Sequence, residues 1–115
     1  MTQSYPDLAK DLNKDIKNLR DAIPDTMAAF SAMGNAAKAN GALDPKTKEL
    51  AAIAIAIATR CDGCITFHVK AAIVHGATRE EISEIIAMAV YMGGGPSMIY
   101  GSQTLKAYDQ YANKG

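Results

Sequence analysis

The side chains best suited to chemistry stand together in one stretch, CDGCITFH, at positions 61–68. Cys61 and Cys64 are the only two cysteines of the chain, and His68 follows four residues after the second. On a helix that begins at Cys61, these three positions lie near one face. Two cysteines three residues apart at a helix N-terminus can close a disulfide, and the unpaired N–H groups and helix dipole there favour thiolate over thiol. His68, one turn past Cys64, can act as its base or hold it as a thiolate in an ion pair. A thiolate beside a disulfide-forming partner is what both peroxide reduction and thiol–disulfide exchange require.

Other chemistries compete for the same residues. A c-type haem site needs histidine directly after the second cysteine, and Ile65 stands there, which excludes haem. Zinc would find three local ligands in Cys61, Cys64 and His68, with Glu49 as a fourth, although two-cysteine sites of this kind are uncommon. An inert buried pair is the remaining option, because cysteine is among the most buried residue types. Redox chemistry is the favoured reading, with no metal and no cofactor expected. His75, just before Gly76, suits a helix C-terminus and reads as structural. GGGPS at 93–97 follows no strand and precedes no GK[ST], so it is a turn and not a nucleotide fingerprint.

The elements that must position these residues read as helices. Leu8, Leu12, Ile16 and Leu19 recur at helical spacing between Asp7 and Ala22. Pro24 opens a second helix to about Ala39, and Asn40-Gly41 stops it. Asp44-Pro45 supplies a cap and a first-turn proline for the run KTKELAAIAIAIATR. Its Ile53, Ile55, Ile57 alternation has the period of a strand, but the intervening alanines, the length and the cap favour helix. A helix apolar on every side is expected to be buried all round, in a chain this small between subunits. Residues 62–75 form the next helix, closed by Gly76. Thr78-Arg79-Glu80-Glu81 is a capping box for the one after it, and Pro96 opens a last helix to about Asn113. Met27, Met33, Met88, Met92 and Met98 are spaced as core filler. The expectation is an all-α fold of about six helices.

Composition narrows the function further. The chain has 115 residues, 12 Lys plus Arg and 12 Asp plus Glu. The length suits a single domain spanning 1–115 with limited surface-to-volume margin, which self-association would relieve. Zero net charge lacks the long-range field that nucleic acid or an anionic membrane would need. The start MTQSYPDLAKDLNKD has no apolar signal core, and the run LAAIAIAIAT is shorter than the roughly 20 residues that span a bilayer. A cytoplasmic protein without nucleic-acid or membrane partners is expected. In a reducing compartment a close cysteine pair is more often catalytic or metal-binding than a permanent bridge.

The pattern Glu49-x11-Cys61-x2-Cys64-x3-His68 resembles the active-site motif of the alkylhydroperoxidase D-like branch of the carboxymuconolactone decarboxylase family. The Asp44-Pro45 helix start, the Ala/Ile helix, HGAT at 75–78 and GGGPSMIY at 93–100 look like that family too, over roughly residues 20–110. The resemblance implies an antiparallel hairpin of the Glu-bearing and Cys-bearing helices and homo-oligomers, commonly trimers or hexamers. It also implies reduction of a hydroperoxide, with electrons from a dithiol donor such as a lipoyl-bearing or thioredoxin-like protein. Carried over, Cys64 attacks the peroxide, Cys61 resolves, and Glu49 and His68 form the proton relay. Physics alone pulls both ways. The dipole, worth about 0.3–1 kcal/mol when exposed, favours Cys61, but a base within reach of Cys64 outweighs it. Counted from Cys61, Glu49 stands roughly 18 Å back along its helix and His68 roughly 10 Å forward, so a bridging water is expected between them.

This sequence departs from the longer founding peroxidases in being a single module and in carrying Gly63 where they have a further histidine. The lactone decarboxylase branch generally lacks the cysteine pair, so a cysteine-independent decarboxylase is a distant alternative. A redox-sensing or structural oligomeric module without catalysis is the other.

Overall fold

The computed structural model describes residues 4–113. The first three residues of the polar start and the last two of the chain lie outside the described residues. Six helices follow one another: α1 (Tyr5–Ala22), α2 (Pro24–Lys38), α3 (Pro45–Ala58), α4 (Asp62–Val74), α5 (Arg79–Gly93) and α6 (Gly95–Ala112). There is no strand among the described residues. This is the all-α architecture expected from the spacing.

The boundaries fall where local chemistry puts them. Asp44 caps α3 by accepting from Thr47 N–H at 2.8 Å, with Pro45 in the first turn. Thr78 and Glu81 form the reciprocal capping box of α5. Gly94 joins α5 to α6 at φ 72°, ψ −150°, a conformation essentially confined to glycine, so the break there is a property of the residue type.

The helix α3 buries one edge within the chain and leaves the other open. It is not buried all round in the single chain: Ile53 and Ile57 are fully buried, whereas Ile55 is 64% exposed. Residues four apart share a helix face and residues two apart do not, so the period-two alternation becomes an inner and an outer edge. The inner edge packs on Ile65 and Val69 of α4, Ile82 of α5 and Ala107 of α6, which form the core with Tyr5 of α1. Each fully buried isoleucine there contributes about 1.5–3 kcal/mol.

The methionines correct one expectation. Met33, Met88, Met92 and Met98 are each more than half exposed, so they are not core filler. Helical spacing marks an apolar face but does not say whether that face turns toward the chain's own core. The helix α2 makes the point most sharply. It has no buried residue, touches α1 and α3, and leaves Phe30 and Met33 64% and 61% exposed.

Candidate functional site

The turn from α3 into α4 builds the site. The N–H of Cys61 bonds Ala56 C=O at 3.0 Å and that of Arg60 bonds Ile57 C=O at 3.1 Å, the two bonds of a Schellman stop. The residue in left-handed backbone at such a stop is usually glycine; here it is Arg60, at φ 57°. A non-glycine residue held so costs about 1–2 kcal/mol. The stop reverses the chain within three residues, and Cys61 then serves as the N-cap of α4, its Sγ accepting from Cys64 N–H at 3.2 Å.

The two cysteines are joined as a disulfide, with Cα atoms 5.2 Å apart. The sulfur of Cys61 therefore sits where the unpaired N–H groups of α4 converge, as the dipole argument requires. Of the pair, it is Cys64 that lines a cavity of about 180 Å³ with His68, together with Ala52, Ile55, Ala56 and Thr59. Its walls are mainly apolar, and Cys64 and His68 are one helical turn apart on them.

Glu49 and His68 meet directly. Oε1 of Glu49 lies 2.7 Å from Nδ1 of His68, with the carboxylate 4% exposed and the ring on the cavity wall. The expected bridging water is thus unnecessary. Rise along the helices must be counted from their real ends: Glu49 is about 13.5 Å from the end of α3 and His68 about 9 Å into α4, a mismatch that one glutamate side chain covers. An ionised carboxylate can only accept, so in a neutral ring paired with it the proton sits on Nδ1 and Nε2 keeps a free lone pair. The arrangement offers a sulfur, a ring nitrogen able to take or return one proton, and a buried carboxylate that fixes the ring and balances an imidazolium. All four residues marked in the sequence converge here. Among the described residues, no group of three or more His, Cys, Asp or Glu is placed to hold a metal ion.

Nothing in the residue pattern pointed to Tyr5. Its side chain is 2% exposed, with its hydroxyl 3.2 Å from Gln103 Oε1 and 3.5 Å from Oδ1 of Asp62, the residue after Cys61. Burial, then the charge and hydrogen bond of Asp62, push its phenol up to about 12. The backbone N–H of Tyr5 donates to Gln110 Oε1 at 2.8 Å, and Thr66 Oγ1 donates to its carbonyl at 2.7 Å. A tyrosine near an N-terminus carries no periodicity or spacing that could have flagged this role.

A six-helix fold with a cysteine pair, a histidine and a buried glutamate on an antiparallel hairpin defines the class. The chain belongs to the carboxymuconolactone decarboxylase family, whose model matches residues 24–107. It is similar to a family member of known structure from Legionella pneumophila, with 44% identity and a TM-score of 0.91 over 93% of this chain and 96% of that one. It also resembles a Thermotoga maritima family member whose name ties it provisionally to an antioxidative response, with a TM-score of 0.82 over 91% and 90% of the chains; at 24% identity this likeness is one of fold. An uncharacterized protein of Cupriavidus necator is 38% identical over 109 residues, covering 95% of this chain and 96% of its own. No helix among the described residues is long and apolar enough to cross a membrane.

Proposed function

We propose that this protein is a thiol-dependent hydroperoxide reductase cycling through Cys61 and Cys64. The observation that carries the reading is the Glu49–His68 pair at 2.7 Å on the wall of the cavity that Cys64 lines. A buried carboxylate aligned on a histidine beside a cysteine is an arrangement for moving protons, which an idle disulfide does not need.

In the reduced protein, His68 Nε2 takes the proton of Cys64, and Glu49 stabilises the imidazolium. The thiolate attacks the terminal oxygen of a hydroperoxide: an S–O bond forms, the O–O bond breaks, and the departing alkoxide receives the proton held by His68. The products are an alcohol and a sulfenic acid on Cys64. Cys61 then attacks the Cys64 sulfur; an S–S bond forms, the S–O bond breaks and water leaves. An external dithiol, lipoyl-bearing or thioredoxin-like, supplies two electrons and two protons to reopen the disulfide.

Self-association is part of the proposal, as a trimer or hexamer, and the exposed apolar faces of α2 and α3 support it. Sedimentation should give a multiple of 12.2 kDa that Phe30→Glu reduces; a monomer at all concentrations would remove this part. For the chemistry, one equivalent of an organic hydroperoxide should consume one peroxide and two thiols per reduced chain. Persistence of both would overturn the reading.

A further inference from the structure

Both residues between the cysteines are touched by α1. The hydroxyl of Tyr5 reaches Asp62, and a Cβ placed on Gly63 would stand 3.0 Å from Cδ1 of Leu12. The contacts are seven residues apart on α1, two turns along a single helix edge. That helix is anchored independently at its start, where Gln110 of α6 and Thr66 of α4 bond the backbone of Tyr5. It also lies wholly outside residues 24–107, the part matched by the family model. Gly63 has no side chain and Leu12 packs against it; the Tyr5 hydroxyl stands 3.5 Å from Asp62 Oδ1 and 3.2 Å from Gln103 Oε1, so its single proton is shared between acceptors on α4 and α6.

We propose that α1 is a clamp on the cysteine turn, with Tyr5 and Leu12 as positioning residues that hold Asp62 and Gly63 in the conformation where Cys61 and Cys64 meet. The inference rests on the redox reading above. Closing a disulfide demands a fixed 61–64 turn, whereas the dithiol does not. With α1 in place the turn is already ordered in the dithiol, so closure loses less conformational freedom and the disulfide is favoured. Without the clamp that freedom returns to the reduced form and the pair becomes easier to reduce.

The test is an equilibrium titration of the full chain with glutathione. Protein dithiol and glutathione disulfide exchange to protein disulfide and two glutathione thiols; one S–S bond breaks, one forms, and two electrons pass to glutathione. Tyr5→Phe, which keeps the ring and its burial, and Leu12→Ala should each lower the constant for closure at least threefold. Together they should lower it about tenfold, equivalent to about 30 mV for a two-electron couple. Tyr111→Phe is the control. It removes a hydroxyl 2.6 Å from Thr66 Oγ1 at the same helix junction, and should lower thermal stability while leaving the constant unchanged. A folded Tyr5→Phe protein with the wild-type constant would overturn the clamp, as would an equal shift in Tyr111→Phe. A wild-type protein that fails to exchange at all would remove the redox reading and the clamp together, so the two failures are distinguishable.

Discussion

Glu49 and His68 stand 19 residues apart in the chain and 2.7 Å apart in space, and the carboxylate is nearly sealed from solvent. That pairing turns a cysteine motif into a candidate proton relay. A general acid–base group contributes typically 10²–10⁴-fold to a rate. His68→Ala should therefore lower peroxide-dependent thiol loss by at least about 10²-fold. Glu49→Gln, which keeps a hydrogen-bond acceptor but not the charge, should lower it by less.

The same pair predicts an asymmetry in stability. His68→Ala leaves the buried Glu49 carboxylate without its partner, a loss of about 1–3 kcal/mol. Glu49→Gln leaves a neutral amide that can still bond the ring, so its thermal midpoint should fall less. Midpoints of the two variants at neutral pH check the order. Equal losses would mean that the pair is not coupled as the geometry indicates.

The cysteines should separate by role. Cys64→Ser should abolish peroxide consumption with helix content unchanged. Cys61→Ser should still consume one peroxide and stop at a sulfenic acid on Cys64, detectable by mass after trapping with a dicarbonyl reagent. Accumulation of sulfenic acid on Cys61 in Cys64→Ser would reverse the assignment.

Tyr5 predicts a loss of stability in alkali. Its folded phenol is raised from an ordinary 10.0 to about 12, chiefly by burial. The neutral form is the one the fold prefers, so its contribution is fully present below about pH 10. It is lost as pH rises from about 10 to about 12. Thermal midpoints should fall more steeply over that window in the wild type than in Tyr5→Phe, and spectrophotometric titration should show one tyrosine ionising last. Identical slopes would mean that Tyr5 ionises as freely as an exposed phenol.

Arg60 is a place where the chain gives up stability. Its φ of 57° costs about 1–2 kcal/mol, partly offset in a glycine by greater freedom when unfolded. Arg60→Gly should stabilise by about 0.5–1 kcal/mol, seen as a thermal midpoint raised by a few degrees. A lower midpoint would mean that the arginine side chain makes a compensating contact.

Local chemistry was legible in the sequence. Asp44-Pro45, the Thr78–Glu81 box and Gly94 mark their helix ends because capping and backbone conformation involve only near neighbours. Cys61, Cys64 and His68 were legible for the same reason, since one short helix segment carries all three. Glu49 could be singled out only through the resemblance to a family motif. Its contact with His68 depends on where α3 ends, and the Schellman stop at Arg60 decides that. What tertiary structure alone decided is which apolar faces turn inward and what lies over the cysteine turn. Phe30 and Met33 stand at helical spacing on α2 yet face outward, and Tyr5 and Leu12 reach Asp62 and Gly63 from more than fifty residues away. A helix's own period defines its faces, but only packing against other helices assigns each face a partner.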